Sequence, residues 1–312
     1  LGKQLNWNVT DDLDWSQNFP KDEFMINSEI FKAPEVELEG YNALSQEKKI
    51  EMDRHRVAWN ISQFLHGEQG ALLVASQLVS CAPTFNAKMY AASQTFDEAR
   101  HVEGFNRYLK EKIGFQYPAT KGLKSLMDKI LTDERWDLKF IGMQIIIEGL
   151  ALAAFNNMKF ILNDGLLKQL LHYVIRDEAR HVTFGVNYLE DYLKTLSKSE
   201  IEERAEFAFE ACLVMRGRLI SGEVVAKFLD YTPEEADRIA FESDQGQNFR
   251  TLLFTKIVPN LKRIGLLTDN VKEKYEQIGV LSYAELEDNF NIDWAEMSKP
   301  YETQEEIEKA IR

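Results

Sequence analysis

The sequence predicts an all-α protein, and three observations support that prediction. Apolar residues recur at helical spacing over long stretches that begin at Ser45. No stretch shows the strict two-residue alternation of a half-buried strand. Only seven prolines occur, and the interval between Pro118 and Pro233 contains none, which suits uninterrupted helices. We therefore expect a core of four long helices with additional C-terminal helices packed around it.

The four long helices have recognisable start and stop signals. Ser45 is a candidate N-cap for the first helix, and Pro83 ends it. Thr84 can cap the second helix, and Gly114 follows its end. Gly165 separates the third helix from the fourth. The predicted ranges, which together make up a bundle over residues 44–196, are 45–83, 84–112, 133–162 and 165–196.

The flanking regions have different patterns. Residues 1–43 show no sustained period and are predicted to form an extended N-terminal arm. Ser197 and Glu200 have the spacing of a capping box, and Pro233 suits a first helical position. Residues 283–312 are predicted to form an acidic C-terminal tail. Additional helices packed on the bundle are expected within residues 197–282, at 197–229, 232–242 and 245–264.

The composition excludes several classes of protein. With 51 acidic against 37 basic residues, the formal net charge is −14, which disfavours nucleic acid and anionic membrane surfaces as partners. Cys81 and Cys212 are the two cysteines, so a disulfide-rich secreted scaffold is excluded and a cytoplasmic location is expected. The most apolar run, residues 141–155, is shorter than the ~20 residues of a membrane span and contains Glu148. We therefore expect no membrane span.

One five-residue word, Asp-Glu-Ala-Arg-His, occurs twice, at residues 97–101 and 177–181. Glu and His three positions apart lie on the same face of a helix, close enough to bind one metal ion. A single copy would be ordinary for an exposed helix with a local Asp–Arg pair. Two copies with similar continuations point to a repeated metal-binding unit.

Each copy is preceded by a further acid in an apolar segment. Glu68 lies 30 residues before Glu98 (98 − 68), and Glu148 lies 30 residues before Glu178 (178 − 148). A carboxylate is rarely buried in such a segment unless it is paired or bound to metal. One Glu from each of two helices and a Glu-x-x-His from each of two others is the ligand set of dimetal carboxylate bundles. The predicted ligands are Glu68, Glu98, His101, Glu148, Glu178 and His181.

Charge supports this ligand set. Four buried carboxylates would repel one another, and two divalent cations would neutralise them. Oxygen and nitrogen donors without thiolate suit iron or manganese. A ligating His usually donates its other ring N–H to a carboxylate, so the Asp and Arg of each word are expected to orient the histidines. These orienting residues are Asp97, Arg100, Asp177 and Arg180.

Over residues 45–196, these motifs resemble the ferritin-like superfamily of dimetal carboxylate proteins that includes the ribonucleotide reductase small subunit. The twin words resemble those of multicomponent monooxygenase hydroxylases, and the segment around Glu148 is similar to that of ligand-binding oxidases. The resemblance implies two iron ions, or one manganese and one iron, that reduce O2 and oxidise an organic substrate or a protein side chain. It also implies hydrogen bonds from His181 to Asp97 and from His101 to Asp177.

Several positions depart from the individual subfamilies. Phe105 replaces the tyrosine of radical-generating subunits, and Leu152 replaces the threonine of multicomponent hydroxylases. Ala71 and Met143 lack the valine and tyrosine that ligand-binding oxidases join covalently. Val174 stands where arylamine N-oxygenases have a seventh ligand histidine. The resemblance therefore extends to the superfamily and assigns no subfamily.

The sequence thus predicts a non-haem di-iron oxidoreductase that oxygenates, hydroxylates or desaturates an apolar small molecule or acyl chain. Electrons would come from a separate reductase or ferredoxin, since no flavin, nicotinamide or iron–sulfur motif is present. A ferritin-like iron-storage protein, a manganese–iron oxidase and a radical-type partner subunit are alternatives, and a homodimer is also open. Apolar positions one turn from the ligands are candidate pocket residues, although core packing explains them equally well. They are Phe64, Ala71, Leu72, Phe105, Ile145, Leu152 and Phe184.

Overall fold

A computed structural model describes residues 6–217, 219–289, 292–297, 299 and 301. Helix accounts for 73% of the structure. Within the described ranges, the only β interaction is an isolated antiparallel bridge between Ile26 and Leu162. The all-α prediction is therefore confirmed. Residues 1–5 of the predicted arm and residues 302–312 of the predicted tail lie outside the described residues.

The first long helices begin where their capping residues predict. The side chains of Ser45 and Thr84, the two predicted caps, each accept a hydrogen bond from a backbone N–H in the first turn of the helix that follows. Asp164, which was not predicted as a cap, does the same for the helix that begins at Gly165. A short helix at 121–132, which the sequence did not predict, fills the interval after Pro118. In chain order the helices are α1 (Gln46–Cys81), α2 (Phe85–Tyr108), α3 (Lys121–Thr132), α4 (Trp136–Phe140), α5 (Glu148–Ile161) and α6 (Gly165–Leu193).

Helices α4 and α5 are joined by π-helical turns over Ile141–Ile147, so Trp136–Ile161 forms one apolar helix of 26 residues. By length and composition alone it could cross a membrane, so the shortness of the apolar run is not by itself an argument against a span. However, 94% of its most apolar stretch is buried inside the protein, and this burial explains its composition. Short π-helical segments are frequent at functional sites, and these turns end directly before Glu148.

The C-terminal region is more broken than predicted. The expected continuous helix 197–229 is wrong, because the first helix ends at Gly217 and a second begins only at Gly222. The expected helix 245–264 is also interrupted, by a 3-10 turn before Pro259, which has no N–H to continue the helical hydrogen bonds. These helices are α7 (Lys198–Arg216), α8 (Gly222–Phe228), α9 (Pro233–Glu242), α10 (Asp244–Leu252), α11 (Val258–Arg263), α12 (Asp269–Gln277) and α13 (Trp294–Met297).

The long helices pack in pairs around one apolar core. Helix α1 packs on α2, α5 packs on α6, and α2 also contacts α6. The N-terminal segment is fixed to this core: Trp7 and Leu13 are buried in it. Asp53 on α1 accepts hydrogen bonds from the backbone N–H groups of Met25 (2.7 Å) and Ile26 (3.2 Å). The first segment of the chain therefore packs against the core and against α1.

Candidate metal centre

The six predicted ligand residues form one buried cluster. Helix α1 contributes Glu68, and α2 contributes Glu98 and His101. Glu148 is the first residue of α5, and α6 contributes the remaining Glu and His. The exposed fraction of each of the six residues is 4% or less. Such burial of four carboxyl groups requires compensating positive charge.

One half of the cluster surrounds His101. Ligand atoms of Glu68, Glu98, His101 and Glu178 all lie within 4.8 Å of one another. The Nδ1 atom of His101 is 3.1 Å from Glu68 Oε2, 3.4 Å from Glu98 Oε2 and 3.1 Å from Glu178 Oε1. These four residues could hold a metal ion.

The other half surrounds His181 and shares a residue with the first. Ligand atoms of Glu98, Glu148 and His181 also lie within 4.8 Å of one another. The Nδ1 atom of His181 is 3.2 Å from Glu98 Oε1 and 3.7 Å from Glu178 Oε2. Glu98 and Glu178 therefore each direct one oxygen towards each histidine. This is the arrangement expected of carboxylates that lie between two adjacent metal positions.

The opposite nitrogen of each histidine is held by an aspartate from the other copy of the repeated word. His101 Nε2 donates to Asp177 Oδ2 at 3.3 Å, and His181 Nε2 donates to Asp97 Oδ2 at 3.3 Å. This exchange between the two halves confirms the predicted pairing. With Nε2 held by the aspartate, the Nδ1 atom of each ring faces the carboxylates.

Two arginines connect these aspartates to each other. Arg100 Nη2 donates to Asp97 Oδ1 at 2.5 Å and to Asp177 Oδ2 at 3.0 Å. Arg180 Nη2 donates to Asp177 Oδ1 at 2.5 Å and to Asp97 Oδ2 at 3.3 Å. Burial alone would raise the pKa of Asp177, but hydrogen bonding to the histidine and the charge of both arginines lower it. Asp177 is therefore ionised and able to orient its histidine.

The carboxyl groups of the cluster have strongly perturbed acidities. Burial raises the pKa of Glu68 and Glu148 well above the usual range, and the charge of Glu178 adds to that rise. Burial alone would also raise the pKa of Glu98, but the two histidines lower it well below the usual range. Burial alone would lower the pKa of both histidines, whereas neighbouring carboxylates raise it well above normal. The carboxylates thus draw protons when no cation is available.

The donor set fits a cation better than it fits protons alone. Among the described side chains, several buried acceptor atoms of the cluster have no hydrogen-bond partner, and leaving each so costs about 1–3 kcal/mol. A bound divalent ion would satisfy these lone pairs. The atoms are Glu98 Oε2, Glu148 Oε2, both carboxylate oxygens of Glu178, and His181 Nδ1.

Gln94 and Trp7, which the sequence analysis missed, contact the cluster, and Gln144 contacts Gln94. Gln94 Nε2 donates to Glu148 Oε1 at 2.7 Å and to Glu98 Oε1 at 3.1 Å. Gln144 Nε2 donates to Gln94 Oε1 at 3.3 Å. Each glutamine stands four residues before a ligand Glu, a spacing that could have revealed them because it places both on the ligand face.

Trp7 reaches the cluster from the N-terminal segment. Its Nε1 donates to Asp177 Oδ2 at 2.6 Å, and its ring stacks near His101 with centroids 6.3 Å apart. The guanidinium of Arg100 lies over the same indole at 5.0 Å. No sequence signal indicated this contact, because the segment that carries Trp7 has no helical period.

The cluster borders a cavity of about 10 Å³, close to the minimum for one water molecule. Of the predicted pocket residues, Phe64 and Ala71 line it, together with Phe155. The structure places the others elsewhere in this part of the core. Phe105 packs against Phe64 and Phe155, and Phe184 stacks on Tyr90. Leu152 borders a separate cavity. Ile145 is buried in the π-helical turns, and Leu72 is half-buried.

Comparison with known proteins adds no assignment to this geometry. No protein-family model matches the chain, and no curated protein matches it. An all-helical fold with a buried Glu/His cluster is compatible with a ferritin-like dimetal site.

Proposed function

We propose that α1, α2, α6 and the helix 136–161 form a ferritin-like four-helix bundle around two iron ions, and that the protein is an O2-activating oxidoreductase. The observation that carries this proposal is that Glu98 belongs both to the set of possible metal ligands around His101 and to the set around His181. Two ions that share carboxylates can act together on one O2 molecule. The set of oxygen and nitrogen donors suits iron, with manganese in one position as the alternative.

The residues of the chain have distinct roles in this proposal. Glu98 and Glu178 would lie between the two ions, and Glu68 and Glu148 would each bind one of them. Asp97 and Asp177 hold the Nε2 proton of the ligand histidines, which keeps each Nδ1 directed at its ion. Bound iron would supply the electrons that reduce O2 and the oxidising power that acts on an organic substrate.

The surroundings of the cluster support oxidation of an apolar substrate. Phe64, Ala71, Ile147 and Phe155 enclose the small cavity beside Glu68, and they exclude water from the reacting positions. An external reductase or ferredoxin is proposed as the source of electrons. O2, this electron donor and an apolar small-molecule or acyl substrate are therefore the proposed partners.

Metal stoichiometry tests the proposal directly. After anaerobic loading with ferrous iron and desalting, elemental analysis is expected to find close to two ions per chain. Glu148→Ala and His181→Ala are each expected to lower that number. His66→Ala is the matched control, because His66 bonds to the backbone oxygen of Tyr117 at 2.9 Å and lies outside the cluster. Full retention of metal in both cluster variants would overturn the assignment.

Oxygen consumption tests the reaction class. The iron-loaded protein is expected to consume O2 faster than the same amount of free ferrous iron when a chemical reductant is present. The Glu148→Ala variant is expected to lose that difference. Uptake of iron far beyond two ions per chain, in a large hollow oligomer, would instead indicate storage.

A further inference from the structure

Helix α2 has a second apolar stripe on the side that faces away from the buried cluster. Glu98 and His101 lie on the buried side of this helix. The exposed positions of the opposite side follow one another at intervals of four, three, four, three and four residues, which is the spacing of the contact seam in a two-stranded coiled coil. These positions are Phe85, Met89, Ala92, Phe96, Ala99 and Glu103.

The aromatic side chains of this stripe are largely exposed to solvent. Phe85 is 75% exposed, and Phe96 is 58% exposed. Aromatic residues and methionine are enriched at protein–protein interfaces, and a continuous row of exposed apolar side chains marks an interaction surface more often than a solvated one. The stripe therefore has the composition of a contact surface.

Helix α1 packs on α2 and extends this surface. Its exposed positions beside the stripe are uncharged and are spaced by four, three and four residues; they are Gln69, Leu73, Ser76 and Ser80. We call the exposed positions of both helices the α1–α2 face. Of its ten positions, all in the described part of the chain, Glu103 is the one that is charged, whereas about three would be charged at the 28% of the whole sequence. Depletion of charge is typical of the centre of an interface.

The stripe on α2 is complementary to a second copy of itself in the antiparallel orientation. With a two-fold axis beside residue 94, Met89 lies opposite Ala99 of the second copy, and Phe96 lies opposite Ala92 of the second copy. Each large side chain then meets a small one, which allows the two rows to interdigitate. A two-fold contact uses the same surface on both copies, so each match is made twice.

The charges at the two ends of the stripe favour the same orientation. Glu103 ends the stripe, and Lys88 lies one turn from Phe85 at its beginning. Antiparallel pairing brings Glu103 of each copy close to Lys88 of the other, whereas parallel pairing would bring the two Glu103 carboxylates together. The ammonium of Lys88 donates to the backbone oxygens of Val79 and Ser80, and an ammonium has a third N–H for a carboxylate.

The α1–α2 face is large enough for a specific dimer. Residues 85–103 span about 28 Å of helix, and two adjacent helices present a surface about 20 Å wide. Each copy would then bury roughly 560 Å², or about 1,100 Å² for the pair, which exceeds the approximately 1,000 Å² expected of a specific interface.

We propose that the α1–α2 face binds a second copy of this chain, with the two α2 helices antiparallel across a two-fold axis beside residue 94. This proposal is independent of the proposed oxidoreductase function. It has a consequence for the buried cluster, because the guanidinium of Arg100 lies over the ring of Phe96 at 5.2 Å and donates to both Asp97 and Asp177. The second copy thus packs on a side chain that contacts the groups orienting the histidines.

Sedimentation velocity of the full-length protein tests the proposed interface. The wild type is expected to sediment as a dimer at about 10 μM. Met89→Glu is expected to weaken the dimer at least about 100-fold, because each copy would bury a carboxylate against Ala99 of the other. Phe160→Glu is the matched control: Phe160 is 67% exposed on α5, outside the α1–α2 face, and this variant is expected to remain dimeric.

Far-ultraviolet circular dichroism of both variants controls for folding. A wild type that remains monomeric up to about 100 μM would overturn the proposal. Wild-type dimerisation by a folded Met89→Glu variant would also overturn it, since the dimer would then use another surface.

Engineered cysteines test the orientation. In a Cys81→Ser background, which leaves the buried Cys212, the double variant Met89→Cys/Ala99→Cys is expected to form disulfide-linked dimers under mild oxidation. Met89→Cys alone is expected to form few, because the two copies of residue 89 are then about 15 Å apart along the helices. Efficient linkage by Met89→Cys alone, or no linkage in the double variant, would refute the antiparallel arrangement.

Discussion

Glu98 is shared by both halves of the proposed metal centre. One of its oxygens is 3.4 Å from Nδ1 of His101, and the other is 3.2 Å from Nδ1 of His181. Glu68 belongs only to the first group, and Glu148 belongs only to the second. Glu98→Ala is therefore expected to weaken both metal positions, whereas Glu68→Ala and Glu148→Ala are each expected to weaken one.

The expected loss of metal affinity follows from the carboxylates that each variant retains. Loss of a group that only orients a ligand lowers metal affinity about 10- to 100-fold, or about 1.4–2.7 kcal/mol. Loss of a carboxylate that itself faces the ion should cost at least as much. Glu98→Ala removes one carboxylate from each group, so this loss applies at both positions. Glu68→Ala leaves the group of Glu98, Glu148 and His181 complete.

The number of ions bound per chain is measured by anaerobic titration with ferrous iron. Elemental analysis at a fixed chelator concentration follows the titration. We expect close to two ions per chain in the wild type, close to one in Glu68→Ala and in Glu148→Ala, and close to none in Glu98→Ala. Far-ultraviolet circular dichroism of each variant controls for folding. One retained ion in a folded Glu98→Ala variant would show that Glu98 serves a single position and would refute the shared-carboxylate geometry.

Three further predictions test other parts of the structure. Asp177→Asn is expected to weaken metal binding about 10- to 100-fold in chelator competition, because it removes the anion that orients His101; unchanged affinity would contradict that role. Phe64→Ala is expected to lower the free energy of unfolding in urea by about 3–5 kcal/mol, and a loss below about 1 kcal/mol would mean that its site collapses easily. Burial raises the pKa of Asp53 to about 6 despite the hydrogen bonds that it accepts, so the ionised form is disfavoured in the folded protein. The contribution of Asp53 to stability is then full below pH 3.8 and falls by about 3 kcal/mol as the pH rises through 6. Asp53→Asn should remove this fall, and parallel pH profiles of urea unfolding for wild type and variant would contradict the prediction.

The six residues of the buried cluster could be predicted from the sequence because their signals are local and repeated. A Glu and a His three residues apart must share a helix face, whatever surrounds the helix. The exchange of partners between the two words, Asp97 with His181 and Asp177 with His101, was implied by resemblance alone, and the hydrogen bonds confirm it. The spacing within each word therefore specified which side chains share a helix face. The packing of α2 against α6 specified how the two copies meet.

The errors arose where short-range signals compete with packing. The helix that the apolar pattern continued to 229 ends at Arg216, and the next helix begins only at Gly222. The amphipathic helix 121–132 was missed although Thr120 caps it by accepting a hydrogen bond from the Leu123 N–H. The contact of Trp7 with Asp177 joins residues 170 positions apart, so no local pattern could reveal it.

The contact between Trp7 and Asp177 bears on whether the two proposed metal positions are equivalent. The repeated words are identical, yet their surroundings differ. Near His101, Asp177 receives a hydrogen bond from the Trp7 indole, whose ring also lies beside the histidine. In the other half, Glu148 receives a hydrogen bond from Gln94. Hydrogen bonds to a ligand or to its orienting group change the basicity of that ligand, so identical words can create two positions of unequal metal affinity. If two ions bind as proposed, residues outside the repeat would supply the inequality that selection of two different metals requires.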